Sequence, residues 1–397
     1  MEISVEERRR RLAVRHLLTP NARVDTVDQV AEALVALHSS DPVTVYLSAA
    51  LRLRQPSIDT VDRALYDDRR LLRHHAMRRT LWAMTPATTV AAHAGFTRKI
   101  AAAERRRTGK LFGLDETGID DAIERVTTAV HEHGGPISTR AVGEILPDLA
   151  EPRPVNQGTN YGGTMAVHTR ALLVAAFEGH IARGRPAGTW IASQYDWWPV
   201  ESWVGRRLDD QDDHDELAGA AAVIGAWLAT SGPATLDDLV WWTGSTKTLV
   251  RRSLEQIEAV EVVTNDGRTD VTGYVLPDDA LDGITGADPG PWVALLPGLD
   301  PTAMGWKQRA WYLDDETNAR VTDRNGNIGP TVWVDGSVVG GWAQRPDGTI
   351  VHDVELATLG GVHHDLLDAE IDRLRALVGD TRFTPRFPSP NQKQLLA

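Results

Sequence analysis

The stretch that decides the fold runs from residue 231 to residue 243 and reads Ser-Gly-Pro-Ala-Thr-Leu-Asp-Asp-Leu-Val-Trp-Trp-Thr. Its turn separates a helix predicted at Leu217–Ala229 from a short helix at Asp237–Thr243. A third helix at Lys247–Ile257 leads to two β-branched runs joined by Asn265-Asp266-Gly267-Arg268, a combination typical of a hairpin. Helix, turn, helix and hairpin in this order predict a winged helix-turn-helix unit.

A similar order recurs twice upstream, which favours a tandem arrangement. The middle of the chain predicts helices at 119–131, 140–146 and 166–177, with a returning strand at 189–192. The N-terminal part predicts helices at 27–37, 43–53 and 60–66, followed by strands at 71–75 and 80–84. A generic helical protein with hairpins remains the alternative interpretation.

From Trp292 onward short β runs and Asp-Gly turns replace the helical pattern, and a helix at Glu370–Leu377 closes the region before a short basic tail. We therefore expect a mostly helical α+β protein with three tandem winged helix-turn-helix units and a small C-terminal antiparallel β-rich domain, partly barrel-like. The expected boundaries are 1–112, 113–208, 209–290 and 291–397.

The composition limits the possible functions. The 397 residues carry a formal net charge of −13, which argues against a protein that binds any polyanion. Basic residues nevertheless concentrate between Arg69 and Lys110, so a basic working face with an acidic back fits the charge distribution. The absence of cysteine excludes disulfides and cysteine-based zinc sites. No apolar run is long enough for a membrane helix, so we expect a cytoplasmic protein without a membrane partner.

A polar cluster interrupts an apolar helical pattern at Val35-Ala36-Leu37-His38-Ser39-Ser40-Asp41-Pro42. Proline cannot continue a helix interior, so an imidazole, two hydroxyls and a carboxylate meet where one helix stops and another can start. The plain interpretation makes Asp41 the N-cap of a helix that begins at Pro42. A helix junction also allows these side chains to project together into a groove, so the cluster is a candidate site.

Several motifs together resemble the bacterial winged-helix DNA-binding proteins that include the AlkZ-like DNA glycosylases. Residues 37–42 are similar to that family's Leu-Gln-x-Gln-Asp-Pro element, and residues 74–82 to its Arg-x-Met-Arg-Gly-Thr-Leu-His element. Residues 238–244, 295–301 and 384–387 match further elements in the same order. The resemblance covers roughly residues 24–396 and implies tandem winged helices curled around duplex DNA.

The resemblance also implies hydrolysis of the N-glycosidic bond of bulky alkylated or crosslinked purines, with no metal or cofactor. In the family a Gln-x-Gln or Gln-x-Asp pair positions water, and the matching positions here are His38 and Ser40. A neutral His38 is expected to accept a proton from water, and Ser40 to bind the water or orient the ring. Asp41 is expected to stabilise positive charge on the sugar, with helix capping as its alternative role.

Other residues are candidates for contact with double-stranded, damaged DNA. They are Arg78, Arg79, Arg52, Tyr46, Trp306, Lys307, Arg309 and Arg386. Arginine and lysine suit phosphate contacts, and an aromatic side chain can stack on a lesion. The alternatives are ion pairs with acidic neighbours for Arg78 and Arg79, helix-end contacts for Arg52, and burial for Tyr46.

The histidine pairs at 74–75 and 363–364 lack the spacing of metal ligands, so we expect no metal site. A monomer with three DNA-binding units needs no partner subunit. The competing hypotheses are a non-catalytic winged-helix DNA-binding or regulatory protein, and a protein-interaction scaffold favoured by the acidic net charge.

Overall fold

A computed structural model describes residues 1–160, 162–210, 215–281, 288–385 and 388–397. Helices and small sheets alternate along the chain, as expected for an α+β protein. The first region contains α1 Val5–Arg15, α2 Val27–Leu34, α3 Pro42–Ala50, α4 Ile58–Tyr66, α5 Pro86–Ala92 and α6 Arg98–Phe112. Its strands are β1 Glu2–Ile3, β2 Leu37–His38, β3 Leu72–His75 and β4 Leu81–Met84.

The second region contains its own helices and sheet. Its helices are α7 Glu116–Glu132, α8 Thr139–Ile145, α9 Pro147–Ala150, α10 Val167–Phe177 and α11 Glu201–Val204. Its strands are β5 Ile137–Ser138, β6 Pro152–Val155, β7 Gly163–Ala166, β8 Ile181–Pro186 and β9 Tyr195–Pro199. The returning strand is therefore β9, and the prediction of a strand at residues 189–192 was wrong.

The third region follows its predicted order closely. It consists of α12 Glu216–Ser231, α13 Leu236–Thr243, α14 Lys247–Gln256, β10 Val260–Asn265, β11 Asp270–Val275 and α15 Pro277–Leu281. Strands β10 and β11 form an antiparallel hairpin, and β1 pairs in parallel with the outer side of β10. The three helices and the hairpin are confirmed, and a strand from the N-terminal region completes this sheet.

The C-terminal region forms an open antiparallel sheet with helices around it. The sheet order is β12 Val293–Leu296, β13 Thr331–Val334, β14 Ser337–Gln344 and β15 Ile350–His352. The helices are α16 Asp315–Val321, α17 Gly361–Val378 and α18 Pro390–Leu396. The expected partial barrel is not formed, because β12 and β15 stay at opposite edges of this sheet within the described residues.

Apolar packing joins the first, third and C-terminal regions around one core. Trp82 of β4, Trp242 of α13 and Trp306 are almost completely buried in this shared cluster. The second region builds a separate core, mainly from α7 and α10. Because burial of aromatic surface is the largest favourable contribution per side chain, the shared core fixes the strand that carries His38 relative to α13.

None of the described helices combines the length and the apolar character that crossing a lipid bilayer requires.

Candidate active site and nucleic-acid interface

The first site element is a short strand that sequence periodicity did not reveal. Helix α2 ends at Leu34, three residues before its predicted end, because Val35 turns with a φ of +62° and Ala36 N–H donates to the Leu34 carbonyl at 2.7 Å. A β-branched residue in this conformation is strained, and such strain concentrates at functional sites. The chain then extends as β2 and pairs with β4.

Strand β2 ends at His38, and Ser40 follows two residues later in a bend before α3. His38 is paired with Trp82 of β4, and Ser39 N–H donates to the Leu81 carbonyl at 2.9 Å. Leu37 and Ser39 point into the protein and are fully buried, whereas Ser40 is exposed. The two positions of the pair therefore differ in exposure, since His38 is 8% exposed at the end of β2 and Ser40 is exposed beyond it.

His38 is held as a neutral imidazole. Only 8% of the residue is exposed, and its ring lies edge-on to Trp82 with centroids 5.4 Å apart. Burial, together with the positive charge of Arg78, lowers the pKa of His38 to about 3. The ring can therefore accept a hydrogen bond at neutral pH, but it is a much weaker base than the ordinary imidazole expected from the sequence.

Ser39, which follows β2, is fixed by a buried arginine that the sequence analysis missed. Arg73 Nε donates to Ser39 Oγ at 2.9 Å, and a terminal nitrogen donates to the Ser39 carbonyl at 3.2 Å. The other terminal nitrogen donates to the Tyr66 hydroxyl at 3.1 Å. These bonds hold Ser39 in the interior, between the buried His38 and the exposed Ser40. The position of Arg73 in an otherwise apolar and histidine-containing strand was the available signal.

Asp41 is the N-cap of α3, as the plain interpretation predicted. Its carboxylate accepts a hydrogen bond from Val43 N–H at 3.0 Å, and Pro42 is the first residue of the helix. Such a cap stabilises a helix by about 1 kcal/mol. Of the two roles that the sequence left open for Asp41, helix capping is therefore the one observed.

Three of the motifs quoted above meet around one cavity beside Ser40 and Asp41. The cavity has a volume of about 150 Å³. Its walls come from the start of α3, from residues 297–299 and 327–330, and from residues 383–385, with Trp342 behind them. The Thr44 hydroxyl donates to the Gly298 carbonyl at 2.7 Å, which ties two of these walls together. Mostly apolar and aromatic walls with a few polar groups are typical of small-ligand sites.

Arg78, whose charge lowers the pKa of His38, belongs to a cluster of cationic side chains. The Arg78 guanidinium lies 4.2 Å from the centroid of the Trp241 ring, and the Arg309 guanidinium lies 5.2 Å from the same ring. Arg79 instead pairs with Glu104 at 2.8 Å, and Lys307 lies 3.5 Å from Asp237. The sequence named these four cations as candidates for DNA contact, and the fold brings Arg78 and Arg309 onto one indole.

The sequence matches a known protein family along most of its length. A family model described as DNA glycosylase AlkZ-like matches residues 31–377. The chain belongs to the AlkZ-like DNA glycosylase family. Its members are hydrolases of N-glycosyl bonds, so this chain is assigned to that enzyme class.

The fold is similar to that of Streptomyces sahachiroi DNA glycosylase AlkZ, with a TM-score of 0.71 and 22% sequence identity over 95% of this chain and 98% of that one. No curated protein sequence is significantly similar to the chain.

Three residues expected to touch DNA lie in the interior of this AlkZ-like chain. Tyr46 is fully buried, and its hydroxyl donates to Asp62 at 2.6 Å. Trp306 belongs to the shared aromatic core. Arg52 is 1% exposed and pairs with Asp300. These predictions of direct DNA contact are corrected, because a side chain without accessible surface cannot reach a phosphate. Arg386 lies outside the described residues.

Among the described residues, no group of three or more histidine, aspartate or glutamate side chains is arranged to hold a metal ion.

Replacing Arg78 by methionine is expected to raise the pKa of His38. Removing a nearby positive charge makes protonation of the ring easier, although burial keeps the pKa below its ordinary value of about 6.5. NMR titration of the His38 ring against pH measures the change. Arg79→Gln is the matched control, because Glu104 already neutralises Arg79. Identical His38 titrations in wild type and Arg78→Met would contradict the assignment.

Proposed function

We propose that this family member hydrolyses the N-glycosidic bond of bulky alkylated or crosslinked purines in double-stranded DNA. The observation that carries the proposal is the cavity beside Ser40 and Asp41, next to the strand that ends at His38, where His38 and Ser40 occupy the positions that resemble the family's Gln-x-Gln pair. The proposed biological role is DNA repair or self-resistance to genotoxic alkylating compounds. No metal or cofactor is required for this reaction as we propose it.

The chemistry of the substrate reduces the demand on the protein. An N7-alkylated guanine is cationic, so the bond between C1′ of the sugar and N9 of the base breaks with its electron pair moving to the base, which leaves neutral. A water oxygen then bonds to C1′, and one water proton passes to solvent or to an acceptor. A weak acceptor such as neutral His38 is sufficient to orient the water, because the leaving group needs no protonation.

The side chains of the site divide this task. His38 accepts a hydrogen bond from the attacking water, and Ser40, with its exposed hydroxyl, binds the same water from the open side. Asp41 contributes negative charge near the positively charged sugar of the transition state. The cavity beside Ser40 receives the bulky alkyl group against its apolar walls, which include Leu47, Phe383 and Trp342.

The DNA contacts proposed for the protein rest on the arrangement of its units. We propose that regions 1–112, 113–208 and 209–290 are winged-helix units and that 291–397 is a separate C-terminal domain. In the third region the order of three helices and a hairpin supports this. Arg78, Arg79, Lys307, Arg309 and Arg386 are proposed to contact phosphates of a single duplex, with the protein acting as a monomer.

The direct test is release of the damaged base. Purified protein is incubated with duplex that carries one N7-alkylguanine, and abasic sites are detected by strand cleavage in alkali. We expect alkali-labile sites to form at the lesion and to be absent from undamaged duplex. An intact strand after prolonged incubation with excess protein, across lesions of different size, would exclude the proposed activity.

A non-catalytic DNA-binding role is the second candidate, favoured by the near-complete burial of His38. It predicts salt-sensitive duplex binding with equal affinity for damaged and undamaged DNA. Binding measurements on the two duplexes in the same salt series distinguish these functions. A failure to bind any duplex at low salt would favour the protein-interaction scaffold.

A further inference from the structure

Three distant parts of the chain build the cationic cluster around Trp241. Arg78 lies in the turn between β3 and β4, Trp241 lies on α13, and Arg309 lies between β12 and α16. Each guanidinium lies within about 5 Å of the centre of the same ring. The negative face of an aromatic ring attracts a cation, so the indole holds both groups in defined positions.

The two guanidinium groups have no carboxylate partner among the described residues within 4 Å. Arg309 donates to the Trp306 carbonyl at 3.0 Å, whereas Arg78 Nε is buried without a hydrogen-bond partner. Burial and repulsion from Arg309 lower the pKa of Arg78 to about 10. Two like charges held together without a counter-ion form a site that favours an anion.

The backbone holds this cluster in place before any ligand binds. Arg78 has a φ of +55°, and Gly244 at the end of α13 packs against it. A Cβ at Gly244 would lie 2.9 Å from Cγ of Arg78, so only glycine permits this approach. On the other side, Asp238 of α13 accepts hydrogen bonds from Lys307 N–H and Gln308 N–H, at 2.9 and 3.0 Å. These contacts fix the segment that carries Arg309.

The position of the cluster indicates which anion it takes. Trp82 packs edge-on against the His38 ring and donates from Nε1 to the carbonyl of Met77, the residue before Arg78, at 3.1 Å, so the cluster lies beside the proposed reaction centre. Two uncompensated cations there would raise the energy of a positively charged sugar in the transition state. An anion bound between the cations and the sugar reverses this effect. In duplex DNA the anion nearest to every sugar is a backbone phosphate.

We propose that Arg78 and Arg309 together bind a single backbone phosphate next to the damaged nucleotide, with Trp241 as their common support. The inference rests on the proposed function and adds a specific phosphate contact to it. A phosphate shared by two guanidinium groups can be distinguished from general attraction to DNA. Once that one phosphate has lost its charge, replacing either arginine should cause little further loss of activity.

Methylphosphonate scanning tests this directly. Duplexes carry the lesion and one uncharged methylphosphonate linkage, moved one position at a time along the damaged strand. At one linkage we expect wild-type excision, as kcat/KM, to fall by about 10- to 100-fold, the usual range for a charged hydrogen bond. Arg78→Gln and Arg309→Gln should each show a similar loss with the natural strand and little further loss at that linkage.

The control variant is Arg375→Gln, which removes an exposed guanidinium already paired with Asp372 at 2.7 Å. Arg375→Gln should change kcat/KM by the same factor with the natural strand and with the methylphosphonate strand. Arg78→Lys keeps the positive charge but loses the paired N–H donors of the guanidinium. Its kcat/KM should therefore lie between those of wild type and Arg78→Gln. Circular dichroism confirms that each variant is folded. If Arg78→Gln lowers kcat/KM by the same factor with the natural strand and with a methylphosphonate at every linkage, the shared-phosphate site is wrong.

Equilibrium binding of the same duplexes gives a readout without catalysis. If no base is released, the proposed activity fails, but the same interdependence between one linkage and both arginines should still appear in Kd. If excision occurs and neither kcat/KM nor Kd shows this interdependence, the phosphate site is wrong while the proposed function stands. If the wild-type protein binds neither the natural duplex nor the methylphosphonate duplexes, the phosphate site is rejected as well.

Discussion

Replacing Arg52 by methionine is expected to lower the free energy of unfolding by about 3–5 kcal/mol, because it leaves Asp300 charged and buried without its partner. The two side chains form two hydrogen bonds, at 2.9 and 2.8 Å, and are 1% and 0% exposed. Although burial alone raises the pKa of Asp300, Arg52 holds it below the ordinary value. Urea or thermal unfolding followed by tryptophan fluorescence measures the loss.

The remaining donors of Arg52 are also used. Its Nε donates to the His16 carbonyl at 2.9 Å, and its terminal nitrogens reach the Ser48 carbonyl and the Thr302 hydroxyl at 2.8 Å. The double variant with Arg52→Met and Asp300→Leu removes both charges and should recover part of the lost stability, by about 2 kcal/mol. Equal losses in the single and double variants would contradict an essential ion pair.

Removing the polar side chains of His38 and Ser40 is expected to reduce excision most strongly. In the variant with His38→Ala and Ser40→Ala, the rate of base release should fall roughly 10²–10⁴-fold, the range typical for loss of a positioned acceptor. Affinity for undamaged duplex should change little, since neither side chain carries charge at neutral pH. Single-turnover kinetics with the N7-alkylguanine duplex measure the chemical step.

Glutamine at both positions is the matched control. His38→Gln with Ser40→Gln restores the pair that the family motif contains, and Gln can both accept a hydrogen bond from water and donate one. This variant should retain excision well above the double alanine variant. If the alanine and glutamine variants are equally slow, or if the alanine variant is as fast as wild type, these two positions do not bind the reacting water.

Local patterns predicted the parts of the fold that local interactions determine. The helices and the hairpin of the third region appear where periodicity and turn residues placed them, and Asp41 caps α3 as its position before Pro42 indicated. The pairing of β2 with β4 was missed because Val35 breaks α2 through a backbone conformation that its residue type disfavours. Sequence periodicity carries no information about such a strained turn.

Long-range contacts explain the errors at the candidate site. Arg52 looked like a cation at a helix end, but its partner Asp300 lies 248 positions further along the chain. Trp306 followed a polar turn, yet it packs among aromatic residues from the first and third regions. The identity of a residue gives its chemistry, whereas its exposure depends on which distant segment covers it.

The bonds between Arg52 and Asp300 also bear on the order in which this protein folds as it leaves the ribosome. α3 is translated long before residues 300–302, so the buried partners of Arg52 are missing until the C-terminal region has been made. We therefore expect the first, third and C-terminal regions, which share the aromatic core, to fold together rather than one after another.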